Sequence, residues 1–441
     1  MDTTASLAGW LLDQEARALL TRLDRVRPFV LFETMVPAAA PSADASAAIH
    51  DYLAQMARRL RQMVYGFLSW LRRQREKGAP PAMLQRRFTL IRLRFNVLMS
   101  QFDIFADVMT QRSEYETGVW LSGLDLFAAD ALKLPDYYDA PPVVCYIDRG
   151  HGAAIRRART RLPGGGNNPV AVIRVPRERM VGSGIASSLV HEVGHQAAAL
   201  LDLVTSLRTE LRHKQNRPAL EGVAWRLYDR WISEIVADFW SVARVGVAST
   251  MGLIAVVSLP RAFVFRVSVN DPHPFPWIRV MLSARIGSVL YPSPQWERIA
   301  SLWGSLYPLD QVRGETRALI DALLATMDPF VALIVNHRPP SLRGYSLGAV
   351  MRTGERNPEA LTALWQSWQK RPQDARKASP TILFAVIGQA RANGQITPER
   401  ESLLVRQHLA RWAVQDALRA SATRVGAGVN HAPDRRLQFE R

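Results

Sequence analysis

The chain has a single cysteine, Cys145, so no internal disulfide framework can form. That usage suits a reducing cytosol. Long hydrophobic runs are also missing. The most apolar stretch, Val245–Leu259, has 15 residues, short of the ~20 that span a bilayer. It reads as a buried core helix, with a re-entrant segment as the alternative. Met1–Trp10 carries Asp2 and no basic cluster ahead of its apolar residues, so no secretory signal is expected. Three successive glycines, Gly164–Gly166, lack the Gly-Lys-Ser/Thr that would make them a phosphate-binding loop. No zinc-finger, RNP-type or helix-turn-helix signature is present, which argues against sequence-specific nucleic-acid reading. Acidic residues are scarce beside basic ones: 39 Asp and Glu against 56 Lys and Arg, almost all arginine, for a net charge of +17. Such an excess favours acidic partners and says nothing about fold.

Against these absences stand 441 residues with 48% apolar and 22% charged content, enough for two or three domains with a large core. The stretch that organises the rest is Ser187–His195, which contains His191-Glu192-Val193-Gly194-His195. Apolar residues at Leu189, Val190, Val193, Ala197, Ala198, Leu200, Leu201 and Val204 recur at three- and four-residue steps, so a helix is expected, with Ser187 and Ser188 near its start. Strand Pro169–Val175 precedes it, and Gly182 and Gly184 separate the two. Histidines at i and i+4 project from one helical face and can reach a single Zn²⁺. Glu192 lies one position on, placed to take a proton from water rather than to bind metal. About forty residues downstream, Glu234 and Asp238 are again i and i+4, on a helix whose other residues are mostly apolar. Buried carboxylates must be paired or bind metal. Glu234 can complete a His₂Glu site with the fourth position open, and Asp238 can accept the outer N–H of a ligand histidine and fix its tautomer.

On these residues the chain resembles the gluzincin class of zinc metallopeptidases, which combine His-Glu-x-x-His with a downstream Glu-x-x-x-Asp helix. Here that helix carries Glu234-Ile235-Val236-Ala237-Asp238. The resemblance covers residues 143–285. It implies one zinc per chain held by His191, His195 and Glu234, with Glu192 as general base and Asp238 behind the ligands. A metzincin would need Gly three residues after the second histidine and His or Asp six after, where this chain has Ala198 and Leu201. Asp271-Pro272-His273-Pro274, followed by Arg279, is similar to the His-Pro segment of the zinc endopeptidases that include the CAAX prenyl proteases. There His273 could hydrogen-bond the oxyanion of a tetrahedral intermediate. The implied activity is hydrolysis of a peptide bond in a peptide or protein.

The expected fold is mainly α with a small α/β zincin-like core. It divides into a basic helical region (residues 1–135), the zinc core (136–285), a helical C-terminal region (286–420) and a disordered tail (421–441). Helices are expected over Ala5–Arg25, Ala45–Lys77 with a start near Ser42 or Asp44, Ala82–Gln111, Leu121–Leu134, and Ala219 to about Ser258. Strands are expected over Val143–Ile147 and Val170–Val175. Asp148–Asn168 and Leu211–Pro218 read as loops, the second with His213 exposed. From Trp277 to about Leu418 the pattern is helical, with breaks at prolines. His337, His408 and His431 lack ligand spacing and receive no role. Between Arg58 and Arg94 eleven basic residues face one acidic residue, Glu76, with Tyr65, Phe67, Trp70, Phe88 and Phe95 interleaved. This hairpin reads as a bundle with aromatics inside and arginines on a solvated face. The alternative is a docking region for an acidic partner or an anionic membrane. The expected location is cytoplasmic, with a peripheral membrane position as the second reading. Two other functional classes stand beside the peptidase: a basic helical binding module whose zinc site is structural or degenerate, and a membrane-surface protein that uses the Arg-rich hairpin as its anchor, with proteolysis secondary.

Overall fold

Apolar positions at helical spacing, punctuated by proline and glycine, divide the chain into helices. The computed structural model describes residues 3–31, 34–150, 152–162, 165–177, 182–217, 219–268 and 270–429. Among the described residues are sixteen α-helices and one three-stranded sheet, with 75% of the chain helical. The fold is mainly α with a small α/β part. It forms two compact units: Met1–Leu126 with Pro163–Gly165 and Arg406–Arg441, and Phe127–Leu162 with Gly166–Val405. This differs from the four consecutive segments expected. The first division falls at Leu126, and the chain from Arg406 onward joins the N-terminal unit. Close backbone packing explains it, since a Cβ on Gly123 would lie 2.5 Å from the Leu409 carbonyl. Local sequence pattern cannot show such a contact.

The first unit contains α1 (Thr3–Leu31), α2 (Ala43–Glu76) and α3 (Pro81–Thr110). Ser42 caps α2 by accepting the Ala45 N–H at 3.2 Å, and Pro81 opens α3 where a missing N–H costs nothing. Phe67, Phe88, Phe95, Phe102 and Phe105 are buried, with the Phe67 and Phe88 rings 5.5 Å apart. The arginines lie outside them, Arg87 stacking over Trp70 at 4.5 Å. Tyr65 is exposed rather than in the core. Next comes α4 (Tyr115–Leu132), which crosses the division between the units. Arg112, fully buried, donates to both Asp125 oxygens at 2.8 and 3.1 Å.

The second unit opens with β1 (Val143–Asp148), β2 (Ala154–Arg156) and β3 (Ala171–Pro176) in the order β1-β3-β2. β1 runs parallel to β3 with Cys145 opposite Ile173, and β2 is antiparallel to β3. β1 and β3 are nearly continuous apolar runs, as strands covered on both faces are. β2 lies within the segment expected to be a loop. It is a short exposed edge that owes its conformation to pairing with β3, not to its own pattern. The helices that follow are α5 (Gly182–Leu200), α6 (Leu203–Lys214), α7 (Ala219–Val245), α8 (Val247–Val257), α9 (Arg261–Val264), α10 (Pro276–Leu290), α11 (Gln295–Leu306), α12 (Gly314–Asn336), α13 (Leu347–Met351), α14 (Pro358–Lys370), α15 (Pro380–Ala392) and α16 (Pro398–Val429). α5 is central, packed on α7, α8 and the sheet.

Several expectations are corrected. Residues expected as a loop at 211–218 are partly the last turn of α6. Leu203, Leu207 and Leu211 form its buried stripe, and Arg212, His213 and Lys214 suit the negative end of its dipole. His213 is exposed on that helix. The single helix expected over residues 219–258 is two, divided at Gly246, whose φ of +57° favours glycine. Val245–Leu259 supplies the core helix α8, but among the described residues the helix long and apolar enough to cross a membrane is α12, of which 44% of the most apolar window is buried. It packs on α7, with Phe330 stacked on Tyr228 at 3.8 Å and the Tyr228 hydroxyl donating to the Leu323 carbonyl at 2.7 Å. The expected disordered tail is helical as far as Val429, and residues 430–441, with His431, lie outside the described residues. His337 is buried, with Nδ1 2.6 Å from Glu210 and Nε2 2.8 Å from the Ser206 hydroxyl, tying the end of α12 to α6.

Candidate metal centre

The centre forms where α5 crosses α7. Gly194 permits the crossing: a Cβ there would lie 2.8 Å from the Ala237 Cα and 2.9 Å from its carbonyl oxygen. Two small residues therefore meet backbone to backbone. Ala237 sits between Glu234 and Asp238, and Gly194 sits beside His195, so the contact brings the two histidines up to the two carboxylates. Val190, Val193, Ile235 and Val236 are buried in the same helix pair. Gly194→Ala is expected to force the helices apart, costing about 1–3 kcal/mol as overpacking does. Thermal melting and zinc content of that variant should fall together, and unchanged values of both would show the crossing has slack.

The N-terminus of α5 is capped from far along the chain. The Ser183 N–H and hydroxyl both donate to Glu401 Oε1, at 3.1 and 2.9 Å. Burial raises the Glu401 pKa, against these hydrogen bonds. A carboxylate there also suits the positive end of the helix dipole. This cap holds the turn of α5 at Ser183, which is helical four residues before the start suggested by Ser187.

His191, His195 and Glu234 each offer a ligand atom, and these atoms lie within 4.8 Å of one another. His191 Nε2 is 3.2 Å from Glu234 Oε2, and His195 Nε2 is 3.4 Å from Glu234 Oε1. The imidazole rings meet edge to face, 4.8 Å apart. His191 turns its other nitrogen, Nδ1, to Asp238 Oδ1 at 2.8 Å, which leaves Nε2 for the centre. His195 Nδ1 lies 3.4 Å from the Ser233 hydroxyl. Asp238 accepts two bonds from Arg279 of α10, Nε to Oδ2 at 2.7 Å and Nη2 to Oδ1 at 2.9 Å. Arg279 Nη2 is also 4.0 Å from Glu234 Oε2. His273, in the bend before α10 and half-exposed, points Nε2 at Glu234 Oε2 at 3.3 Å, while Asp271 Oδ1 receives its backbone N–H and holds its Nδ1, both at 2.9 Å. Glu192 is buried at 8% exposure, and its carboxylate accepts no hydrogen bond among the described residues.

The electrostatics favour metal-binding protonation states for the carboxylates. Burial alone would raise the Glu234 pKa, but hydrogen bonds from His191 and His195 reverse this and hold it well below the carboxylate range. Burial likewise opposes ionisation of Asp238, and the charges of Arg279 and His191 overcome it, lowering its pKa strongly. Burial disfavours a charged His191, yet Asp238 beside it and the bonds to Asp238 and Glu234 leave its pKa raised to about 9. Burial of Arg279 is outweighed by Asp238, then Glu234 and Glu192, so its pKa rises.

Two imidazole nitrogens and one carboxylate are the donor types of a His₂Glu zinc site; His191 Nε2 and His195 Nε2 approach different oxygens of Glu234, at 3.2 and 3.4 Å. Of the six site residues named from sequence, His191, His195 and Glu234 bring donor atoms together, Asp238 lies 2.8 Å from His191 and His273 lies 3.3 Å from Glu234; Glu192 follows His191 on α5, with its charge felt by Arg279. Sequence reasoning assigned nothing to Arg279, Gly194, Asp271 or Glu401. The small residue inside His-Glu-x-x-His was the available signal for Gly194, and the Arg following the His-Pro segment for Arg279. Comparison of the chain with protein-family models, curated proteins and solved structures gave no match.

Proposed function

We propose that the protein is a zinc-dependent peptidase of the gluzincin type, acting on a peptide or protein in the cytoplasm. The observation that carries this reading is the convergence of His191, His195 and Glu234 donor atoms within 4.8 Å, with Glu192 on the same helix as both histidines. These three residues would hold the metal. A zinc ion so held lowers the pKa of a water to about 7 and polarises a substrate carbonyl. Glu192 takes a proton from the attacking water on its carboxylate and passes it to the leaving amine. His273 donates from Nε2 to the oxygen of the substrate carbonyl as negative charge develops there, and Asp271 aims its ring. Asp238 fixes the His191 tautomer, and Arg279 keeps Asp238 ionised and in place. A purely structural zinc site has no use for Glu192, whose carboxylate has no hydrogen-bond partner among the described residues.

Elemental analysis of protein purified without chelator is expected to give one zinc per chain. Glu234→Ala should bind it much more weakly, because two histidines remain from three ligands. A wild-type protein that contains no zinc and takes up none from buffered solution would overturn the reading.

A further inference from the structure

We propose that the outer side of α3 is a docking face for an anionic lipid surface. Met83, Leu90, Leu93 and Val97 are 40%, 62%, 57% and 45% exposed. At 100° per residue they fall within an arc of about 80°, turned away from the buried Leu84, Phe88, Phe95 and Phe102. Arg86 and Arg94 are exposed in or beside the same arc. No acidic residue occurs in α3 before Asp103. The stripe from Met83 to Val97 is about 21 Å long at 1.5 Å per residue. Aliphatic side chains interspersed with guanidinium groups match the layering of a lipid interface, where anionic headgroups lie outside the acyl chains.

The charge and side-chain types favour this occupant over others. A second copy of the chain would bring Arg86 and Arg94 against their own equivalents. Single-stranded nucleic acid binds by stacking bases on aromatic rings, but Phe88 and Phe95 of this helix are buried and the exposed side chains between its arginines are aliphatic. An anionic bilayer takes both features at once. Arginines near its surface contribute electrostatic attraction, and the leucines and valine insert at the boundary.

The full-length protein should be sedimented with vesicles of phosphatidylcholine alone and of phosphatidylcholine with phosphatidylserine. Binding is expected only to the second kind. It should weaken when salt rises from about 0.1 to about 1 M, as the screening length contracts from about 10 to about 3 Å. Two variants separate the contributions. Arg86→Glu with Arg94→Glu, and Leu90→Ser with Leu93→Ser and Val97→Ser, should each lower vesicle binding at least about tenfold. All five residues are exposed, so circular dichroism melting should match the wild type. Wild-type binding by either folded variant, or equal binding to neutral vesicles, would overturn the proposal. So would binding to single-stranded RNA that needs the two arginines but not the leucines, or a concentration-dependent dimer that the serine variant abolishes while vesicle binding is unaffected.

Discussion

Glu192→Gln is expected to keep zinc content and melting temperature at wild-type values and to reduce peptide turnover by about 10²–10⁴-fold, the contribution of one positioned base. Glutamine has nearly the same shape, and the Glu192 carboxylate has no hydrogen-bond partner among the described residues to lose. The substitution therefore removes proton acceptance and little else. A charge also disappears near Arg279, whose ionisation Glu192 supports, but Asp238 and Glu234 contribute more to that and remain. Steady-state kinetics on a short peptide with metal analysis of the same preparation decide the matter. Unchanged turnover would remove Glu192 from the reaction. Loss of zinc and of folding together would make it a structural residue of α5.

The parts of this centre that were legible in the sequence are those set by short-range geometry. A spacing of four puts His191 with His195, and Glu234 with Asp238, on single helical faces. Apolar neighbours indicate which face is inside. The meeting of the two pairs was not derivable from spacing. It depends on Gly194 seated on Ala237, a contact between backbones 43 residues apart. The Glu401 cap on Ser183 spans 218 positions and leaves no local trace. The same limit applies to the fold. The α2–α3 hairpin announced itself through Ser42 and the Pro80–Pro81 pair, which act on the nearest turn. β2 and the grouping of residues beyond Arg406 with the N-terminal unit did not, because distant partners create them. The loop expected at residues 211–218 failed for a different reason: polar residues at the end of α6 masked the Leu203–Leu207–Leu211 repeat that continues into it.

Asp238→Ala is expected to be the most damaging substitution for the folded state. Asp238 has one carboxylate facing two donors, the Nδ1 side of His191 at 2.8 Å and the guanidinium of Arg279 through two bonds. The Arg279 side chain is 13% exposed, so removal of the carboxylate strands a buried guanidinium, a loss of about 3–5 kcal/mol. The His191 ring also loses its anchor, and zinc affinity should fall about 10–100-fold, as it does when the group orienting a ligand histidine is removed. A second substitution separates the two effects. Adding Arg279→Met to Asp238→Ala removes the stranded charge and fills the space with an apolar chain, so most of the stability should return. The zinc affinity should not, because His191 still lacks the acceptor that holds its Nδ1–H. Denaturant melts and competitive chelator titrations on the single and double variants measure the two quantities independently. Recovery of both in the double variant would mean that Asp238 serves only to neutralise Arg279. Recovery of neither would mean that Arg279 itself positions the centre, through its approach to Glu234 at 4.0 Å.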